Sequence, residues 1–151
     1  KLSYHPNIAG IKDSERGDER MDESLKLWKD RTDFVFLNGW ALKSAYSLLH
    51  GASGIVPSTG NIISGLYKDL YDLAIKGKSS EAYDQQATTD RISELYQKGK
   101  NLSQSIPALK TLMFLNGLCK VHVMPPLYDT GSKEQEQLKS ASLAELSKVF
   151  E

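Results

Sequence analysis

Three short apolar runs constrain this chain more than anything else in it: Ile8–Asp13 (IAGIKD), Phe34–Gly39 (FVFLNG) and Gly54–Ser58 (GIVPS). None shows the apolar–polar alternation of a strand with one wet face. Near-continuous apolar strands belong to parallel sheets covered on both faces by crossover helices. The stretches that follow carry the helical period. Glu19–Lys29 sets Met21, Leu25 and Trp28 on one face, with Asp18 as its N-cap. Ala41–His50 ends at Gly51, and Ile62–Lys76 carries Ile63, Leu66, Tyr67, Leu70 and Ala74 before Gly77. Strand then helix, three times over, predicts an α/β fold of βα units across residues 1–77.

The remainder, 78–151, reads as a helical extension with no low-complexity linker. Ser80–Gly99 is a mostly polar helix carrying Tyr83, Ala87, Leu95 and Tyr96. Pro107 sits where a helix can begin, since its missing N–H costs nothing at a first helical position. Ala108–Asn116 continues that helix to Gly117, His122–Ser132 is a loop, and Lys133–Phe150 is the last helix. Leu138, Leu143, Leu146, Val149 and Phe150 form its apolar stripe. Three strands cannot close a barrel, which takes eight strands and roughly 250 residues. A chain of 151 residues is therefore expected to be the C-terminal part of something larger.

Charge and composition exclude several classes. Lys plus Arg equals Asp plus Glu at 19 each, so the basic excess of a nucleic-acid binder is missing. No stretch approaches the ~18 apolar residues of a membrane span. The three histidines, His5, His50 and His122, share no metal-ligand spacing, and the one cysteine, Cys119, builds neither an intrachain disulfide nor a cysteine zinc site. No metal site is expected. The single thiol fits a reducing, cytoplasmic setting. Asp129–Ser132 (DTGS) follows a proline pair and precedes a charged helix, which removes any aspartic-protease reading.

Polar or flexible residues close all three strands: Lys12, Asp13 and Ser14 on the first, Asn38 and Gly39 on the second, Ser58 to Asn61 after the third. Ligands of parallel α/β proteins sit at that edge. Lys12 has two readings. It is either a strand-end lysine in solvent or an amine in a dry pocket, where desolvation disfavours the ammonium and leaves a neutral nucleophile able to attack a ketone. Asp13, next along the strand, is expected to face away from it. Gly39 and Gly60 let backbone approach a ligand, and the free N–H groups of Val56–Asn61 could hold a carboxylate at a helix start.

The segments HPNIAGIKDS, FLNGW, GASGIVPSTGN, SIPALKTLMFLNGL and MPPL, in this order and spacing from His5 to about residue 146, together resemble the dihydrodipicolinate synthase/N-acetylneuraminate lyase family. Those proteins are class I, pyruvate-dependent aldolases on a TIM barrel. The resemblance implies strands six to eight of the (β/α)8 barrel over 1–77 and the family's C-terminal helical extension over 78–151. It makes Lys12 the Schiff-base lysine. It makes Gly39 and Val56 substrate-binding positions, to which the polar strand-end residues Ser58 and Asn38 are added as candidates, with a covalent imine on lysine in place of any cofactor. It implies a ketoacid and an aldehyde as substrates, a homotetramer, and no nucleic-acid or membrane partner.

NGW (Asn38–Trp40) departs from the family, where acidic residues often follow that glycine, and this bears on the aldehyde. The family's relay tyrosine and the paired hydroxyls that hold the ketoacid carboxylate fall outside these residues. The N-terminal half of the barrel is therefore expected to be required, and the segment alone is expected to be nearly inactive, with exposed sheet flanks. The alternatives are a non-catalytic ketoacid-binding regulator and a helical interaction module on the same fold.

Overall fold

The computed structural model describes the backbone of residues 1–150 and side chains as far as residue 147. The chain forms two compact units, Lys1–Ala87 and Thr88–Glu151. The first holds three parallel strands in sequential order: β1 (Gly10–Asp13), β2 (Val35–Asn38) and β3 (Gly54–Ile55). Helices α1 (Asp18–Trp28), α2 (Ser44–Leu49) and α3 (Ser64–Ile75) follow them in turn. Each strand is shorter than its apolar run, because the ladder extends only where a neighbour supplies partners.

Register sorts the side chains. Ile11 lies beside Phe36, and Phe36 joins Met21 and Leu25 of α1 in a buried cluster. Trp28 closes that cluster, its ring 5.3 Å from Phe36 and 5.5 Å from Phe34. Burying side chains of this size stabilises by roughly 1.5–3 kcal/mol each. The other row, Lys12 beside Leu37 beside Gly54, belongs to the opposite face. Along it, Lys12 is exposed, while Leu37 and Gly54 share a groove with Tyr67 and Tyr71 of α3.

Polar groups fix the loops. Arg31 forks onto Asp33 at 2.7 and 2.6 Å and donates to the Ser3 carbonyl, with its guanidinium over the Tyr4 ring. That hydrogen bond holds the Asp33 carboxyl below its ordinary value. Gln86 of α4 (Ser79–Gln97) accepts from the Ala45 N–H and donates to the Ala41 carbonyl, which pins the start of α4 against α2.

The expected helix start at Ile62 lies instead at Ser64. A single 3-10 turn, Ser58–Asn61, comes first. Within it the Gly60 N–H bonds to Pro57 O, and just after it the Ile62 and Ile63 N–H groups bond to Thr59 O.

In the second unit, the end of α4 buries Ile92 and Tyr96, α5 (Leu102–Leu115) buries Ala108, Leu109 and Leu112, and α6 (Ser132–Phe150) buries Leu138 and Leu146. Pro107 does not open a helix. It lies inside α5, which begins five residues earlier at Leu102. The start is set by a capping box: Asn101 Oδ1 accepts from Gln104 N–H, and Gln104 Oε1 accepts from Asn101 N–H, both at 3.1 Å. Thr111 and Thr130 share a buried hydroxyl–hydroxyl bond of 2.6 Å that ties the loop before α6 to α5. Leu143 of the expected α6 stripe is exposed, while the side chains of Val149 and Phe150 lie outside the described residues. Among the described residues, no helix is long and apolar enough to cross a membrane.

Asn101→Ala removes the side-chain half of the capping box, the acceptor of the Gln104 N–H. It is expected to lower the stability of the unit by about 1 kcal/mol, read as a drop in denaturation midpoint at unchanged slope.

Candidate active site

The face of the sheet opposite α1 carries Gly10 and Lys12 from β1, Val35 and Leu37 from β2, and Gly54 from β3. Lys12 is the charged residue of this set. Its neighbour Asp13 turns to the helix-covered face, where Arg20 Nε sits 2.7 Å from Oδ2 and the Glu15 N–H donates to Oδ1. That bond raises the Arg20 guanidinium above its ordinary value. The carboxylate nearest to Lys12 in sequence is thus held elsewhere, and no ion pair of Lys12 is found among the described residues.

Lys12 is exposed, where the desolvation reading expects a buried amine. The reason is geometric. Tyr67 and Tyr71 of α3 share a groove with Leu37 and Gly54 on the β3 side of this face, and Lys12, on the outermost strand β1, is not among the residues lining it.

Gly39, one step past β2, is where the site is tightest. A Cβ there would fall 2.2 Å from Ser14 Oγ, 2.9 Å from Lys12 Cε and 3.0 Å from the Asp13 carbonyl oxygen. The lysine stem and the Ser14 hydroxyl therefore cross the space that any other residue at position 39 would fill. The Gly39 N–H is committed to Asp13 O at 2.6 Å, so a main-chain contact to a ligand would come from its carbonyl. Gly10 is under similar pressure, since a Cβ there would meet Val35 O at 2.5 Å.

The other candidates part company. Val56, after β3, is 43% exposed and lines a groove of about 420 Å3 with Leu37, Gly54 and Tyr67. Ser58 is exposed in the turn beyond. Asn38 is not on the lysine face. It is 1% exposed, donates to Trp40 O and Ser47 Oγ, and accepts from the Trp40 N–H at 2.7 Å. It is the brace of the turn after β2.

Trp40 packs against the Met21–Leu25–Phe36 cluster, with its indole nitrogen buried and without an acceptor. Lys43 lies over the Trp40 and Tyr46 rings and pairs with Asp18 at 2.6 Å. Tyr46 donates to Asp22 Oδ1, and this bond, with burial, raises its phenol above the usual value. Ser14, one of the polar residues at the end of the first strand, stands two residues beyond Lys12, on the same face of an extended chain. Among the described residues, no group of three or more His, Cys, Asp or Glu gathers to hold a metal.

The arrangement offers an amine without a counter-ion, a hydroxyl beside it, and a glycine that keeps the approach open. Comparison with known proteins identifies the family of the chain. A family model described as the dihydrodipicolinate synthetase family matches residues 1–145. The 4-hydroxy-tetrahydrodipicolinate synthase of Xanthomonas campestris pv. campestris is 35% identical over 117 residues, which is 78% of this chain and 37% of that protein. The dihydrodipicolinate synthase structure from Bacteroides thetaiotaomicron superposes with a TM-score of 0.86 at 28% identity, covering 95% of this chain and 48% of the other. The N-acetylneuraminate lyase of Fusobacterium nucleatum shares the fold, with a TM-score of 0.74 at 21% identity over 91% of this chain and 45% of that one. The chain thus spans less than half the length of each.

Gly39→Ala is expected to lower the rate of any reaction at the Lys12 amine by at least about tenfold, since the methyl displaces both Lys12 and Ser14. Ser14→Gly in the same chain removes the closest clash and is expected to restore part of that rate. Equal rates for wild type and Gly39→Ala would show that the close approach has no consequence.

Proposed function

Because the chain belongs to the dihydrodipicolinate synthetase family, we propose that it supplies the imine-forming part of a class I aldolase or synthase, with Lys12 as the nucleophile. It comprises strands six to eight of the family's barrel over residues 1–77 and the helical extension over 78–151. The supporting observation is the isolation of the Lys12 amine: it faces away from Asp13, pairs with no carboxylate among the described residues, and lies against Gly39.

The neutral Nζ attacks the ketone carbon of pyruvate or of a 2-keto-3-deoxy sugar acid. The carbinolamine loses water to a protonated imine. Loss of a proton from the adjacent carbon gives an enamine, whose carbon attacks an aldehyde, and water then releases the product and restores the amine. Cleavage is the reverse path. No cofactor enters, because the iminium itself withdraws the electrons. Ser14 stands where its hydroxyl reaches a group bound to Lys12, and the Gly39 carbonyl and Val56 flank the same approach. The position after Gly39, acidic in many of the proteins this chain resembles, carries an indole packed on the helix side. The aldehyde therefore meets no carboxylate from residue 40.

An exposed ammonium in water is a poor nucleophile at neutral pH, because it stays protonated. The reading therefore requires the rest of the barrel to cover the Lys12 face, and the chain by itself is expected to be nearly inactive. It also takes the assembled protein to be a cytoplasmic homotetramer, as the resemblance implies.

The test is covalent capture. The protein, in the completed barrel, is incubated with pyruvate, reduced with borohydride and mapped by mass spectrometry. The expected result is an N-carboxyethyl adduct on Lys12, lost in Lys12→Arg while pyruvate binding persists. Folded protein that binds pyruvate without any adduct would overturn the catalytic reading in favour of a ketoacid-binding regulator.

A further inference from the structure

A line of buried polar groups runs from the turn after β2 through α2 to α4, and the chemistry at Lys12 leaves it unused. Asn38 begins it. Its carboxamide spans a single residue: Oδ1 accepts from the Trp40 N–H at 2.7 Å, and Nδ2 donates to the Trp40 carbonyl at 3.1 Å. Nδ2 also donates to Ser47 Oγ at 3.0 Å. Turned over, the amide would set its NH2 group against the Trp40 N–H, so one orientation alone satisfies all three bonds. Ser47 Oγ donates to the Ser44 carbonyl, and Ser44 Oγ donates to the Ala41 carbonyl. That carbonyl also receives Gln86 Nε2 at 3.0 Å, while Gln86 Oε1 accepts from the Ala45 N–H at 2.9 Å. Asn38, Ser44, Ser47 and Gln86 are all buried.

Gln86 occupies a telling place. The Ala45 N–H and the Ala41 carbonyl are four residues apart, the pair that a continuous α-helix joins directly. The Gln86 carboxamide stands between them and bonds to both. Helix α2 has no side-chain cap of its own, so a side chain from α4 governs where it starts. At the other end of the line Gly39 is held on both sides. Its N–H is bound to Asp13 O at 2.6 Å, and the residue after it is bound by Asn38. This fixes Gly39 where a Cβ would meet Lys12 Cε at 2.9 Å.

We propose that Gln86 is a positioning residue for the Lys12 amine. By standing between Ala41 and Ala45 it sets the start of α2, and through Ser47 and Asn38 it sets the Gly39 turn against which the lysine stem lies. Without it, the Ala45 N–H closes directly on the Ala41 carbonyl, the start of α2 shifts, and Ser47 leaves the reach of Asn38. The inference rests on the imine reading above and deepens it: the first helix of the extension takes part in the reaction through a turn, without touching the ketoacid.

The experiment compares wild type, Gln86→Met, Ser47→Ala and the double variant, each in the completed barrel. Imine formation with pyruvate is followed over a series of concentrations by cyanoborohydride trapping with the reductant in excess, and amide hydrogen exchange is measured alongside. Gln86→Met is expected to lower the limiting rate roughly tenfold and to change the half-saturating pyruvate concentration less than about twofold, because misplacing the amine slows its attack and removes no group that holds the ketoacid. The Trp40 N–H is expected to exchange at least about tenfold faster in that variant, its anchor having loosened. Ser47→Ala puts the best helix former into a helix, so it keeps the test open should Gln86→Met not fold. It is expected to slow the limiting rate in the same sense. The double variant is expected to be no slower than Gln86→Met, since both changes cut one line.

A folded variant with the wild-type limiting rate would overturn the proposal. So would a loss confined to the half-saturating concentration, additive losses in the double variant, or an unchanged Trp40 exchange rate. Wild type that traps no adduct at all would instead remove the imine reading, and with it the reaction that Gln86 serves.

Discussion

Alternation across a parallel sheet covered on one face is the constraint from which the rest of this structure follows. Neighbouring residues of an extended strand point to opposite sides, and here the two sides have different surroundings. Ile11, Phe36, Asp13 and Asn38 face α1 and α2, where they meet apolar side chains or fixed polar partners. Lys12 and Leu37 face the other side, where Lys12 is exposed and Leu37 shares a groove with Tyr67 and Tyr71 of α3. The same alternation separates Lys12 from Asp13, so that two adjacent opposite charges do not pair. Had they shared a face, the ammonium would be held charged by its neighbour.

Close approach is the second constraint, and it works through a missing atom. Gly39 has a negative or unremarkable φ, so its role is not conformational freedom. What matters is the volume that its absent Cβ leaves for Lys12 Cε and Ser14 Oγ. The Asp13 carbonyl, bonded to Gly39 N–H, draws β1 and β2 together at that point and makes the space scarce. Trp40 adds to this from the other side. Its ring belongs to the cluster under α1, so the turn after β2 presents a glycine to the lysine face and an aromatic to the core.

Much of the fold was legible because its signals are local. The apolar runs marked the strands, the 3.6-residue period marked α1 and α3, and Gly51, Gly77 and Gly117 stand at helix ends with positive φ. Where the reading slipped, the deciding partner was elsewhere or was overlooked. Pro107 looked like a helix start, but the Asn101–Gln104 pair, spaced as a capping box, sets the start one turn and more before it. Asn38 looked like a site residue because it ends a strand. Its face depends on register with β1, and its partners Trp40 and Ser47 are supplied by the turn and by α2.

By itself, the sequence determined the βα order, the identity of the candidate nucleophile and the rule that Lys12 and Asp13 cannot look the same way, since these depend on residue type and on the period of a single strand. Tertiary structure alone decided which face α1 covers, how near Gly39 comes to Lys12, and that the amine stands exposed in this unit. Those are distances and burials set by pairing between strands far apart in the chain, and burial, unlike period, is a property of everything packed nearby.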